Sequence, residues 1–554
     1  MGIAMLNEKK LVSFATFLMK TYMIGAFIWI LLLWAPHYVI WPTFQDWDMP
    51  AKLALWDLNG LKPYMHTKAG PIGPGQIYIW KLAFLIGGLN YGKVVANTID
   101  VSMVVSIALV ALYWSKKQFL CYIPGMIIGL GWLWRYASLE VNDVAQRDWH
   151  CIYFIVISLM ILQANATRRS FLISAIIFAI SAMFRPYTVF AIPAMLFSVY
   201  NNSQIMNSNA THKIQDRLKP MIIWSISCLL FFFLINLCLL PFESFMIHLK
   251  SLFQFINSSG YKNNPVTTAQ TLQRFVYAFS HGWNLFLPTV LMILIYFERN
   301  DPVVIRTRNM IFTWLLLGLG TIVWKSAYKA HVPIFYIQIP NLLLQIILIG
   351  LIAGMIRNLY HISEQLRLVF SIILLSLVVQ TRPIYVSLSD SIHATKLIIS
   401  GTTTYYPKCQ GGSWEGMIGP EQPILAILDT LKQQGPQTRL FNLMVGTTPS
   451  FTSDSGLMDA NPSCSFTVDA CYGMFELVSA DEVLSEIEGL KNNVVVIWTP
   501  HAESYSTTKN DKVLTLSPQE LDKRKRMEVL RNYVRKNFRP MSTFSEIEIW
   551  KKKE

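Results

Sequence analysis

Residues Trp41–Tyr78 read WPTFQDWDMPAKLALWDLNGLKPYMHTKAGPIGPGQIY, and the reading of this stretch decides the fold. It follows an apolar run, Leu11–Ile40, longer than the ~20 residues a membrane-spanning helix needs. The stretch itself is only half apolar. Asp46 and Asp48 stand where such a helix would surface. An amphipathic piece follows, with Ala51, Leu53, Ala54, Leu55 and Leu58 set against Lys52, Asp57 and Asn59. Gly60 and Pro63 then turn the chain into a Gly/Pro-rich loop that carries His66 and Lys68. Two acids and a lysine held at a membrane surface suit chemistry on a lipid-linked phosphate, and they equally suit a solvated loop edge. The rest of the chain has to separate the two.

Composition sets the frame. The 554 residues are 53% hydrophobic and only 14% charged, against roughly 25% charged in soluble domains. A polytopic α-helical membrane protein is the class this implies. Lys9 and Lys10 precede an apolar run longer than a signal h-region and without a small-residue cleavage site, so the run is expected to stay as an anchor. The net charge of +14 fits basic residues gathered in cytoplasmic loops. Nucleic acid is a poor partner for it, because no soluble basic domain with interleaved aromatics dominates. Cys121, Cys151, Cys228 and Cys238 lie in or beside apolar runs and read as packing residues. Two of Cys409, Cys464 and Cys471 could pair if the polar C-terminal part is exported.

Eleven spans are expected, centred on 18–40, 94–114, 119–134, 150–164, 171–184, 187–200, 221–240, 286–297, 309–324, 333–355 and 367–381. The run 76–90, with Lys81 inside it, is read as a helix lying along the surface. With the N-terminus cytoplasmic, this choice puts Lys116–Lys117, Arg168–Arg169, His212–Lys219, Arg299–Arg308 and Arg357–Arg367 inside, as the positive-inside tendency requires. It also puts the first loop (41–92), 135–149, the Phe184–Tyr187 corner, 241–285, 325–332 and the C-terminal region on the outer face. The expected domains are 1–381, a membrane domain, and 382–554, an exported soluble α/β domain. Within the latter, Ile424–Lys432 and Asp522–Lys536 read as helices, and Arg439–Val445, Val494–Trp498 and Met541–Lys551 as strands. The expected location is the bacterial inner (plasma) membrane.

Three further clusters fall on that outer face. Residues 135–150 crowd Arg135, Glu140, Asn142, Asp143, Arg147, Asp148 and His150 into one connection. Such a mixture fits a phosphate and metal site, or a salt-bridge network. Phe184-Arg-Pro-Tyr187 interrupts an apolar run, since proline ends the preceding helix and leaves the Arg185 guanidinium at the membrane edge. There it can fork onto a phosphate or snorkel to headgroups. Lys325, Lys329 and His331 precede the tenth span. Gly70–Gly75, GPIGPG, lacks the Lys-Ser/Thr of a P-loop. No H-E-x-x-H, G-x-S-x-G or dinucleotide fingerprint occurs, which argues against a metalloprotease, an α/β-hydrolase and a nicotinamide or flavin enzyme.

In this order the features resemble the GT-C superfamily of integral membrane glycosyltransferases, closest to the bacterial aminoarabinose transferase and protein O-mannosyltransferase branch. An acidic motif after the first span is matched by Asp46/Asp48, a G-x-x-P-Y turn by Gly60–Tyr64, and a Lys-x-x-Pro loop by Lys68–Pro71. A second-loop acid is matched by Asp148, an Arg-Pro corner by Arg185-Pro186, and a later Lys…Pro segment by Lys329–Pro340. Relatives often carry adjacent Asp-Glu where this chain has Asp-Trp-Asp. The resemblance implies transfer of a sugar from a polyprenyl-phosphate donor, with inversion, to a lipid, glycan or protein acceptor at the outer face. Under it, Asp46 or Asp48 is the base, and Lys68, Arg147, Arg185 and Lys329 hold the phosphate. Asp143, Asp148, His66 and His331 support them, and a divalent cation is left open. Two other classes compete: a transporter or flippase for lipid-linked sugars, and a non-catalytic scaffold in envelope polysaccharide assembly.

Overall fold

In the computed structural model of the chain, the described residues are 2–41, 45–66, 73–139, 144–145, 147–165, 167–206, 214–256, 302–327, 335–358, 363–379, 384, 386–403, 421–435, 437–443, 457–460, 479–490, 494–498, 518–544 and 547–553, with a few isolated positions in 269–276. The predicted span 286–297 and the cysteines 409, 464 and 471 lie outside them.

Helices dominate. In chain order they are α1 (Gly2–Val39), α2 (Gln45–Leu58), α3 (Pro74–Phe119), α4 (Ile123–Ala137), α5 (Arg147–Ala164), α6 (Arg168–Ala182), α7 (Ile192–Met206), α8 (Ile214–Leu239) and α9 (Phe242–Ile256). Then come α10 (Pro302–Ala327), α11 (Phe335–Asn358), α12 (Glu364–Val379), α13 (Leu388–Ile399), α14 (Glu421–Lys432), α15 (Ala480–Gly489) and α16 (Pro518–Asn537). Among the described residues, three are long and apolar enough to cross a membrane: Lys10–Val39, Pro74–Phe119 and Leu218–Leu239. Leu343–Arg357 is apolar but shorter. Helices α4 to α7 and α10 to α12 cover further predicted spans. Within α3 the backbone leaves helical geometry at Gly88 (φ 62°, ψ −170°), a conformation open to glycine because it has no Cβ. The break separates the run containing Lys81 from the longer apolar helix that follows. Lys81 is held by Asp57 of α2 at 2.5 Å.

The chain forms two compact units. The first comprises Met1–His37, Thr98–Asn236 and Val266–Ile392. In it α5 packs on α6 and α7, α4 on α11 and α12, and α10 on α7 and α11. Glycines let these helices close. A Cβ added at Gly125 would stand 2.5 Å from the Ala111 carbonyl oxygen, and one at Gly129 would stand 2.8 Å from the Ala108 side chain. Gly350 and Gly354 of α11 meet Ile128 and Phe119 in the same way. Both pairs are Gly-x-x-x-Gly, the spacing that puts two small residues on one helix face and lets backbones approach.

The second unit comprises Tyr38–Asn97, Leu237–Pro265 and His393–Glu554. Its sheet has five strands: β1 (Arg439–Asn442), β2 (Met458–Asp459), β3 (Val494–Trp498), β4 (Phe538–Phe544) and β5 (Ile547–Lys552), in the order β2-β1-β3-β5-β4. β1 pairs parallel with β2 and β3, whereas β5 pairs antiparallel with β3 and β4. The central β3, VVVIW, is buried along its whole length, as an unalternating apolar strand should be. Ile427, Leu428 and Leu431 of α14 pack with Leu440, Leu457, Val495, Ile497 and Ile549 into one core. Burying each such side chain contributes ~1.5–3 kcal/mol. The same unit packs α2 against β2.

Three expectations need correcting. The single closing strand Met541–Lys551 is the hairpin β4–β5. Cys238, read as a packing residue, is exposed on α8. Finally, α5 begins at Arg147, so Arg147 and Asp148, expected in an exposed connection, form its buried first turn.

Candidate active site

In the first unit the decisive local event is the start of α5. Asp148 lies in its first turn, where the helix dipole favours an anion by ~0.3–1 kcal/mol. Arg147 and Asp148 are both buried. The Arg185 Nε stands 3.4 Å from Asp148 Oδ1, with the Arg185 side chain 16% exposed and that of Asp148 1%. Two residues thirty-seven positions apart in sequence, expected as a supporting acid and a phosphate-binding arginine, are therefore neighbours.

The Arg-Pro corner is fixed from below. Residues Pro186–Ala191 form a 3-10 turn after α6, and the Thr188 hydroxyl donates to the Arg185 carbonyl at 2.9 Å. Cys151 Sγ lies 3.2 Å from that hydroxyl. Phe184 packs face to face with Phe154, at 5.3 Å between ring centroids, and against His150 at 5.5 Å. One face of α5 thus holds the corner that carries Arg185.

Behind this cluster lies a network that sequence reasoning missed. Asp100 of α3 is fully buried, with His150 Nε2 2.8 Å from its Oδ1 and the Tyr136 hydroxyl donating to its Oδ2 at 2.6 Å. Tyr136 Oη in turn accepts from the Ala145 amide at 2.8 Å. An acid inside the apolar run of α3 was the available signal, because a carboxylate there is costly unless bonded or functional.

In the second unit, Asp46 and Asp48 lie on the first turn of α2, and their side chains are outside the described set. Trp47 between them is buried; its Nε1 donates to Asn97 Oδ1 at 2.8 Å and its ring lies 5.1 Å from that of Trp80. Asn97 Nδ2 donates to the Tyr38 and Val39 carbonyls at 3.3 and 3.2 Å. The tryptophan that separates the two acids is thus the anchor of their helix turn. At its other end α2 closes on Gly60 (φ 88°), a left-handed stop suited to glycine. Tyr64 is buried against the His248 ring at 4.4 Å. His66 is exposed, and its Nδ1 accepts from the Lys62 amide at 2.9 Å, so it is engaged in its own turn. Lys68, Asp143, Lys329 and His331 lie outside the described residues.

No protein-family model matches the chain, and no curated protein is similar to it in sequence. Solved structures are similar to it in fold. ArnT from Cupriavidus metallidurans, in the crystal structure bound to undecaprenyl phosphate, superposes with a TM-score of 0.53 at 10% identity, covering 96% of this chain and 97% of that one. The same protein in the apo state gives a TM-score of 0.54 at 10% identity, over 97% and 98%. The fold is GT-C-like.

A GT-C-like fold with apolar helices of this length makes the chain an integral membrane protein. The cluster found in its first unit has chemistry of its own. The Arg185 guanidinium stands beside the buried Asp148 carboxylate, and a guanidinium fork is the group that matches phosphate oxygens bidentately. Among the described residues no three His, Cys, Asp or Glu side chains converge as a ligand set, and Asp148 already faces a cation.

Proposed function

We propose that the protein is a glycosyltransferase that moves a sugar from a polyprenyl-phosphate donor to an acceptor at the outer face of the membrane, with inversion. The observation that carries this reading is the GT-C-like fold shared over nearly the whole length with ArnT, whose crystal structure holds undecaprenyl phosphate. The meeting of Asp148 with Arg185, next to Arg147, supports it. In the proposed reaction Asp46 or Asp48 takes the proton from the acceptor hydroxyl. That oxygen bonds to the anomeric carbon while the bond from carbon to the phosphate oxygen breaks, and the electron pair leaves with the lipid phosphate. Arg147 and Arg185, with Lys68 and Lys329, stabilise the charge that develops there, a preorganised electrostatic role. Asp148 fixes the direction of Arg185. Lys81 paired to Asp57, and the break at Gly88, favour an outer first loop whose helix 74–87 runs along the membrane rather than across it. With that topology the N-terminus is cytoplasmic and the C-terminal sheet lies outside.

The test is transfer of radiolabelled sugar from polyprenyl-phosphate donors by wild type, Asp46→Asn and Asp48→Asn at matched protein levels. One of the two variants should lose activity about a hundredfold or more, the usual range for a general base. Full activity in both variants removes the base from this loop, and no transfer by wild type from any donor removes the transferase.

A further inference from the structure

We propose that Asp100 is a positioning residue: its buried carboxylate grips the chain on both sides of Arg147-Asp148 and so sets the geometry of the phosphate-binding cluster. The catalytic half of this statement rests on the transferase reading above; the structural half does not.

The argument begins with cost. Asp100 is fully buried in a helix long and apolar enough to cross the membrane. A carboxylate there is expensive unless both oxygens are bonded. Both are: Oδ1 is 2.8 Å from His150 Nε2, and Oδ2 accepts from the Tyr136 hydroxyl at 2.6 Å. A clamp between helices would need nothing more than that. This one continues, because Tyr136 Oη also accepts the Ala145 amide, and Ala145 sits at φ 53°, a left-handed conformation uncommon for a residue with a Cβ. Ala145 stands two residues before Arg147, and His150 stands two residues after Asp148. One carboxylate thus reaches the chain upstream and downstream of the two functional residues. Trp149, between Asp148 and His150, packs its ring 5.0 Å from Trp132 and 5.9 Å from Tyr136, closing the network off. His150 is itself wholly buried. The group therefore acts through Arg147 and Asp148 and not on substrate.

Two substitutions break the network at different links. Asp100→Asn keeps one carbonyl oxygen but turns an NH2 toward a donor, and Tyr136→Phe removes the acceptor of the Ala145 amide. Ser102→Ala, on an exposed side of the same helix where the hydroxyl donates to the Thr98 carbonyl at 2.8 Å, is the control. Hydrogen exchange of peptides covering 138–150, 98–119 and 168–182 is measured in detergent beside the kcat and KM of transfer. Expected in both variants is exchange at least about tenfold faster confined to 138–150, with kcat down about tenfold or more and acceptor KM unchanged. The double variant should lose no more than the worse single one, because both cut one chain of bonds. Exchange in 138–150 at the wild-type rate overturns the proposal, and so does equal loosening of all three segments. A wild type that transfers no sugar sinks the transferase reading alone, and the exchange pattern still decides whether Asp100 positions the segment.

Discussion

Burial holds the His248 imidazole at about 4, well below its ordinary 6.5, because a charged ring beside Tyr64 would lose its hydration. The unfolded chain therefore binds a proton between these values that the folded chain refuses. Stability contributed by the neutral ring is complete above about pH 6.5 and is lost as the pH falls toward 4. The shift corresponds to about 3 kcal/mol. His248→Phe, which keeps an aromatic ring against Tyr64, should flatten this acid dependence. Melting temperatures of the two proteins at pH 7.5 and 4.5 check it: the gap between the two pH values should be smaller in the variant, and equal gaps would refute the assignment. At this same scale the sequence named Arg185 and Asp148 but not their contact. It named Asp46 and Asp48 but overlooked Trp47, whose buried bond to Asn97 anchors their turn.

Among elements, the α3–α4 packing carries a steric demand that side chains cannot relieve. Gly125 places its Cα against the backbone of Ala111 and Leu112, with a hypothetical Cβ at 2.5 and 2.7 Å from their atoms. These are backbone atoms and cannot swing away. Gly125→Val should destabilise the first unit by about 1–3 kcal/mol or more, the usual cost of overpacking. The position faces α3 near the end remote from Tyr136, so unfolding in a detergent titration should shift while the ratio of kcat to stability loss stays modest. A melting curve unchanged from wild type would contradict the packing. The hairpin β4–β5 was read as one strand because the connecting Ser545-Glu546 carries no Gly or Asn turn signal. Pro540, beside a register irregularity, further hid the first strand.

For the whole molecule the proposed topology makes a prediction independent of catalysis. Single cysteines placed at Lys553 and at Arg168, in a background with all seven native cysteines replaced, should differ in intact cells. The residue at 553 should react with a membrane-impermeant maleimide, and the one at 168 only after permeabilisation. The reverse pattern would invert every loop at once and remove Asp46, Arg147 and Lys329 from the outer face together. The sheet itself tests assembly at this scale: α2 packs on β2, so the acid-bearing loop and the C-terminal strands belong to one unit although about four hundred residues separate them in sequence.

By itself the sequence determined what depends on local composition. Apolar runs of sufficient length placed the helices, the unalternating Val494–Trp498 run gave the central strand, and Arg185-Pro186 broke a helix where proline must. Only the tertiary structure decided the partners. Asp100, Tyr136, Ala145 and His150 come from three helices and a loop, and no local pattern records that their polar atoms meet. The physical reason is that a buried charge is tolerated by what surrounds it, and those surroundings are assembled by packing across the chain, not along it.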